Sequence, residues 1–522
     1  MSLNLTMTFL LALTPVLIIL ILMVGLRWGA ARAGGAGYLS ALMIAILFFG
    51  AGAELLAYAH VKALLLTIDV LLIIWAAFLL YRVVDEAGAI ATISQALPHL
   101  TPDKGMQALI IGWVFASFLQ GVGGFGVPVA VIAPILLGLG FSPLSAVVIP
   151  SIGHGWAVTF GSLGSSFNAL LAVTGIPEQI LAYPAALFLG IAAVPVGMMV
   201  AHAAGGWQAV RRLLIPVLIL GTVMGGVMFL VVTSGPWYIG SFIGALAGML
   251  VAIPLAYFSR KNPKDQGNLN VRALLIALSG YAILILITLG VQLIPALKTW
   301  LGGVEFQVYF PEMSTSQGYT TPAGIGRSIN IFRHTSMLLF YSSILAFIVY
   351  WLYGLYQPGA VGRILDGTVR RVMSSSVSIA SMVAMAVIMQ HTRMTDTLAR
   401  GLADGVGALY PLAAPWIGAL GAFMTGSNTN SNVVFGALQM RTAEILGYSL
   451  AIILAAQTAG AALASIMAPT KVVVGSSTAG MAGREGDVMR KLVVYVAILL
   501  VFVSVMTLLA LWIISKGYLL IL

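Results

Sequence analysis

Eight small or amide-bearing residues stand in a row at Thr425-Gly426-Ser427-Asn428-Thr429-Asn430-Ser431-Asn432, between the apolar runs Ala419 to Met424 and Val433 to Leu438. Both flanks belong to a bilayer. Hydrophobic residues make up 60% of the 522 and charged residues 8%, with a mean hydropathy of +1.06, where soluble domains carry about 25% charged residues. Unpaired backbone groups at membrane depth cost several kcal/mol each, so irregular chain survives there only around a cavity. The run is therefore expected to interrupt a helix and to line half of a solute site, with a second half-helix starting near Val433 and aiming its N-terminus inward.

Crossing the hydrocarbon core takes ~20 apolar residues, and the chain supplies that length repeatedly. Full spans are expected at about 6–26, 37–59, 63–81, 143–175 (broken), 178–203, 213–232, 237–258, 273–295, 335–356, 373–390, 446–482 (broken) and 492–514. Residues 105–140 and 405–444 read as re-entrant hairpins. The fold class is thus an all-α polytopic membrane protein of about 12 full spans. Residues 1–104 form N-terminal scaffold spans and 105–203 a first transport unit. Further scaffold spans occupy 204–404, a second, inverted unit 405–491, and a C-terminal span 492–522. Met1 to Leu26 lacks a basic leader and a small-residue cleavage site, and is read as a retained first helix.

Alternate loops hold most of the 25 Lys and Arg, among them Arg27, Arg82, Lys104, Arg211, Arg212, Arg272, Arg363 and Arg484. That set is expected in the cytoplasm. Both termini then face outside, 259–272 is a cytoplasmic loop and 296–333 an external one. The net charge of +10 follows from this topology and needs no nucleic acid. With no cysteine, disulfides and thiolate metal sites are excluded. No cofactor and no metal are expected.

Phe118-Leu119-Gln120-Gly121 precedes a glycine-rich break, and Phe423-Met424-Thr425-Gly426 precedes the asparagine-rich one. Leu139-Gly140-Phe141-Ser142 and Leu446-Gly447-Tyr448-Ser449 follow at matching distances. Lys104 enters the first unit from the cytoplasmic side and Arg400 the second from outside. This is the pattern of an inverted-topology repeat with its site at the midplane.

In the first break, Gln120-Gly121-Val122-Gly123-Gly124-Phe125-Gly126-Val127-Pro128, the glycines permit tight turning and Pro128 suits a first helical turn. A helix starting near Val127 would present its positive end to an anion. Gln120, Gly121, Gly123, Gly124, Phe125 and Gly126 are candidate substrate contacts. So are Ser427, Asn428, Thr429, Asn430, Ser431 and Asn432, whose side chains both donate and accept. Gly153-His154-Gly155-Trp156 and Gly161 to Asn168 lie in the first broken span; their counterparts in the second are Gln457-Thr458, Ser465 and Lys471. Gln457 and Thr458 join the substrate set. Asp69, inside an apolar span, is a proton-coupling candidate because a carboxylate there costs ~2.5–3.5 kcal/mol on insertion scales. His154 is a second, by its intrinsic pKa, and Glu54 a third. No acid–base pair clusters with a nucleophile motif, so no enzyme is expected.

Phe118 to Ala130, Gly138-Leu139-Gly140-Phe141, Phe423 to Asn432 and Gly483-Arg484-Glu485-Gly486 resemble the lactate permease family, which carries lactate and glycolate with protons. The Ser427-Asn428-Thr429 triplet is also similar to the carboxylate-binding signature of sodium-coupled dicarboxylate carriers. The resemblance implies a symporter in the cell membrane that imports a small organic anion with a proton, with a homodimer as the one protein partner to consider. This chain has Gln120 where the family has Glu, Asn428 where it has Asp, and His154 where it has Asn. The first two changes delete a titratable acid. The proton then falls to Asp69, His154 or Glu54, or a sodium-coupled carboxylate or sulfonate carrier is the alternative.

Overall fold

A computed structural model describes residues 5–124, 126–258, 270–326 and 328–516. Most of the expected loop 259–272, together with Phe125, lies outside these described residues. Twelve described helices are long and apolar enough to cross a membrane. One of them, Glu178–Thr233, is two helices joined at Gly205–Gly206, where the backbone leaves helical angles. The spans expected at 37–59 and 63–81 are instead Ala30–Phe48 and Ala53–Glu86. Gly50 (φ +69) and Gly52 fall between them, so the chain turns earlier than hydropathy alone suggested.

Both hairpins form. Lys104–Val122 and Val127–Gly138 make the first, and its ends meet, since Lys104 Nζ donates to the Gly140 carbonyl at 3.0 Å. Tyr410–Thr425 and Asn428–Leu446 make the second, closed where the Tyr448 hydroxyl donates to the Ala408 carbonyl at 3.4 Å. Each hairpin leads into a broken span. The first comprises Pro143–Gly153 and Ser165–Thr174, the second Leu450–Ala464 and Pro469–Thr478.

The last helix, Glu485–Ser515, relates the two hairpin bases. Its Tyr495 meets His202, next to the bend that carries Arg212, and Arg212 pairs with Asp103 at the first base. Its Ser504 donates to Leu412 near the second base. Nine helical residues span about 13 Å, so the two contacts are separated along that helix.

The units also interlock. Gly436 in the second hairpin packs against Leu170 and Val173 of the first broken span; Gly475 in the second broken span packs against Val129 of the first hairpin. Lipid gives no hydrophobic drive between helices, so such close approach over small residues is what holds them together.

Around this centre run Ala53–Glu86 and Ala360–His391, antiparallel, with Trp75 Nε1 donating to Ser376 Oγ at 3.0 Å and Arg363 paired with Glu86. Each leads through one left-handed residue, Gly88 (φ 72) or Arg393 (φ 68), into a shorter helix. The segment expected as a plain external loop at 296–333 contains a short helix, Pro295–Leu301, and an antiparallel ribbon. The ribbon pairs Glu305–Phe306 with Ile329–Asn330, Tyr309–Phe310 with Gly324–Ile325, and Met313–Ser314 with Thr320–Thr321. Among the described residues it is the one departure from helical secondary structure, and its β-branched and aromatic residues suit a pleated surface.

Candidate functional site

The asparagine-rich run is helical. Gly426 closes the preceding helix in the left-handed conformation (φ 71), and Ser427 caps the next by accepting from the Asn430 N–H at 3.3 Å. The new helix starts at Asn428, not near Val433. A left-handed glycine and a serine cap are a sufficient stop and start, so only two residues break the hairpin. Helical spacing then sorts the amides. Asn428 and Asn432, four apart, share a face toward the first broken span. Asn430 turns away and donates to Ser378 Oγ at 3.0 Å.

The first hairpin tip meets the break in the first broken span. Gly124 (φ +58) sits against Ser162 and Gln120, and a side chain there would collide with Ser162 Oγ. Ser162 (φ 48) and Leu163 (φ 51) are themselves left-handed, a strain of order 1–3 kcal/mol each that packing must offset. The strained turn lets a helix restart at Ser165.

These parts meet at a narrow cleft with a volume of about 20 Å³, lined by Gln120, Val158, Ser162, Ser165, Ser166, Gly426, Ser427, Asn428, Thr429 and Lys471. Hydroxyls and amides tie its walls together. Asn428 Nδ2 donates to Thr159 Oγ1 at 3.0 Å; Asn432 Nδ2 reaches the Ser166 carbonyl at 2.9 Å and Thr458 Oγ1 at 3.0 Å. Thr159 and Thr458, one from each broken span, share a hydrogen bond at 3.1 Å.

The field of the cleft is positive. Two half-helices start at it, at Ser165 and at Asn428, each N-terminus worth roughly +0.5 of a charge. Lys471, in the first turn of the fourth half-helix, donates to Ser465 Oγ at 3.0 Å and makes no ion pair among the described residues. Among the described residues, Gln120 Oε1, Asn428 Oδ1 and Ser165 Oγ are buried without a partner. Buried polar atoms are seldom left so. The arrangement suits a small anion that also carries a hydroxyl: positive groups for the carboxylate, open acceptors for the O–H.

Of the residues singled out in the sequence, Gln120, Ser427, Asn428 and Thr429 line the cleft. Thr458 and Asn432 brace its wall. Gly121 packs on the Phe242 backbone, Gly123 on Tyr81, and Gly126 (φ 86) caps the Val127–Gly138 helix. Ser431 and Gln457 belong to a buried network with Gly418 and Gln439. His154 is fully buried, with Nδ1 at 2.7 Å from the Pro150 carbonyl and Nε2 unpartnered. Glu54 is exposed in the first turn of its helix. Asp69 is 1% exposed and bonded to Asn168 and His334.

Sequence reasoning named Lys471 only as a counterpart position and did not single out Thr159 or His334. A lone lysine after Pro469 inside a broken apolar span was the available signal, because an intramembrane charge is functional by default.

A family model described as "L-lactate permease" matches residues 8–514. Glycolate permease GlcA of Escherichia coli is 27% identical, over 97% of this chain and 96% of its own length. The L-lactate permease of Streptococcus iniae is 29% identical over 72% of this chain and 78% of its own. Among solved structures, the Alcanivorax borkumensis YdaH transporter covers 85% of both chains at 14% identity and a TM-score of 0.47.

Proposed function

We propose, from the premise that this chain belongs to the L-lactate permease family, that it is a secondary transporter importing a small 2-hydroxy monocarboxylate, lactate or glycolate, together with a proton. The observation that carries the reading is the meeting of Lys471 with the N-termini at Ser165 and Asn428 around one small cleft. The relatives named for lactate and for glycolate support the substrate class.

In this reading the carboxylate sits between the Lys471 ammonium and the free N–H groups of the two half-helices, a charge-assisted arrangement. The 2-hydroxyl donates to the open oxygen of Asn428 or Gln120. Lys471 is the one cationic side chain among the residues lining the cleft and pairs with a single carboxylate, which is why the reading names a monocarboxylate. Access alternates as the hairpins and broken spans shift against the scaffold, breaking and remaking the contacts at Thr159, Thr458 and Ser166.

The test is uptake of labelled lactate and glycolate by purified protein in proteoliposomes, under proton and sodium gradients imposed separately. Uptake driven by the proton gradient and abolished in Asn428→Leu is the expected result. Entry of neither acid, or normal uptake by Asn428→Leu, overturns the reading. The unpartnered amide oxygens of Gln120 and Asn428 also suit a weakly hydrated metal cation, which supports a second reading, a sodium-coupled carboxylate carrier. Accumulation driven by sodium with the pH gradient collapsed would select it.

A further inference from the structure

The cleft at the two half-helix ends has a volume of about 20 Å³, room for roughly one water molecule, so a hydroxy acid enters it only when the walls part. A far larger hollow lies beside it. It measures about 600 Å³ and opens at the end of the molecule that carries the ribbon. Its walls come from the start of the helix after the first broken span, the turn before Trp237 and the end of Val271–Leu293. The short helix Pro295–Leu301 and the start of Thr335–Leu352 complete them.

Three charged side chains line this hollow, Glu178, Lys298 and Arg333, a balance of one positive charge. Glu178 is already engaged: Trp237 Nε1 donates to its Oε2 at 2.8 Å and Gln179 Nε2 to its Oε1 at 3.4 Å. The two cations make no ion pair among the described residues. Arg333 lies in the field of Glu305, but that carboxylate accepts from Ser328. Two exposed cations on one helix would be an ordinary wet surface. Here Lys298 precedes the ribbon and Arg333 follows it, and the fold sets both on the wall of one cavity. Arg333 is fixed there: its backbone N–H donates to Asn330 Oδ1 at 3.1 Å, and Asn330 Nδ2 donates to the Gly302 carbonyl at 3.1 Å.

The floor joins the hollow to the cleft. Trp237 and Tyr238, buried in the short helix Trp237–Ile239, line the hollow. They also press on Gly164 (φ +76), where any side chain would collide with the Trp237 ring and the Tyr238 backbone. The Phe167 ring meets that of Trp237 at 5.3 Å. Gly164 sits between Ser162 and Ser165, which both line the cleft. Ser241 Oγ, just after the same short helix, donates to the Ala157 carbonyl at 2.8 Å, next to Val158 of the cleft. One layer of side chains thus separates a roomy cationic chamber from a narrow one.

We infer that this hollow is an entry vestibule, a second binding site that holds the carboxylate of the small hydroxy acid between Lys298 and Arg333 before it passes Trp237 to the cleft. The inference rests on the carboxylate transport proposed above. Arg333 offers the carboxylate a bidentate fork and Lys298 a mobile point charge, while Ser234 or Gln292 on the same walls takes the 2-hydroxyl. Both cations are exposed, so the hold is weak and the anion moves on readily. Their field gathers anions at the mouth and speeds capture, and salt weakens it. Passage to the cleft then requires Trp237 to move with the turn that carries Gly164.

Equilibrium binding of labelled lactate and glycolate to the detergent-solubilised full chain tests this without transport. In Asn428→Leu, which removes an amide of the inner cleft, weak binding at the vestibule is expected to remain. Adding Lys298→Gln and Arg333→Gln should lower that remaining affinity about tenfold, whereas adding Lys298→Arg, which keeps the charge, should leave it within about threefold. Equal binding by Asn428→Leu with and without the two glutamines overturns the inference. In intact cells with Asn428 in place, Lys298→Gln with Arg333→Gln should raise the KM for uptake about tenfold, hold Vmax within about twofold, and flatten the salt dependence of KM between about 0.05 and 0.5 M. An unchanged KM and salt dependence also overturn it. If wild type moves neither acid, the transport reading fails while the binding difference still decides the vestibule. If the chain with both glutamines does not fold, Lys298→Gln alone must lower affinity about threefold in the Asn428→Leu background, and no change there overturns the inference.

Discussion

Ser166 and Thr429 hold their hydroxyl oxygens 3.0 Å apart, although 263 positions separate them in the chain. Each lies in the first turn of a half-helix, one from the first broken span and one from the second hairpin. This contact brings the two half-helix ends face to face at the cleft.

A cross-link at that contact should arrest the carrier. The chain has no cysteine, so Ser166→Cys with Thr429→Cys stands alone in the sequence. The two hydroxyl oxygens, 3.0 Å apart, stand where the cysteine sulfurs would sit, so a disulfide needs only a small approach of the two helix ends. Mild oxidation is expected to stop counterflow of labelled substrate, and reduction to restore it. Unimpeded counterflow in the fully oxidised protein would mean that the two half-helices never need to part.

Lys471 offers a test that separates function from stability. Removing an unpaired, largely desolvated cation relieves a penalty rather than breaking a pair. Lys471→Met should therefore keep or raise the thermal midpoint in detergent while lowering substrate affinity at least tenfold (about 1.4 kcal/mol or more). A fall in midpoint with unchanged affinity would assign the lysine to the fold.

Gly124→Ala should destabilise the protein. A left-handed conformation costs an L-residue roughly 1–2 kcal/mol, and the added methyl group would also press on Ser162 Oγ. A lower midpoint with weakened uptake is expected, because the Gln120 tip is pushed from the cleft. An unchanged midpoint would show that the tip has room to yield.

The basic loops predict the orientation. In intact cells, a membrane-impermeant maleimide should label Ser314→Cys, on the ribbon, and spare Arg211→Cys until the membrane is permeabilised. The opposite pattern would turn the molecule over.

Much of this architecture was legible in the residues. The paired strings around Gly121 and Gly426 gave the two hairpins, and the half-helices at Ser165 and Pro469 fall inside the stretches expected to be broken. The start of the helix at Asn428 was not legible. Asparagine is a poor helix former in isolation, and the serine cap, with Asn430 and Asn432 anchored by tertiary bonds, overrides that preference. Lys471 and His334 escaped for a different reason. Each acquires meaning only from what folding puts beside it, Lys471 the helix ends of another unit and His334 a carboxylate 265 positions away. Asp69 was visible because an acid amid leucines is conspicuous; its partner was not, because it sits at a loop end among other polar residues.

Gly88 and Arg393 occupy matching joints with nearly the same torsion, φ 72 and φ 68, yet one has no side chain and the other a long, exposed one. The shape of that elbow therefore belongs to the architecture shared by the two halves and not to whichever amino acid happens to fill it. Where chemistry alone would choose glycine, the duplicated design imposes its own bend, and the arginine conforms.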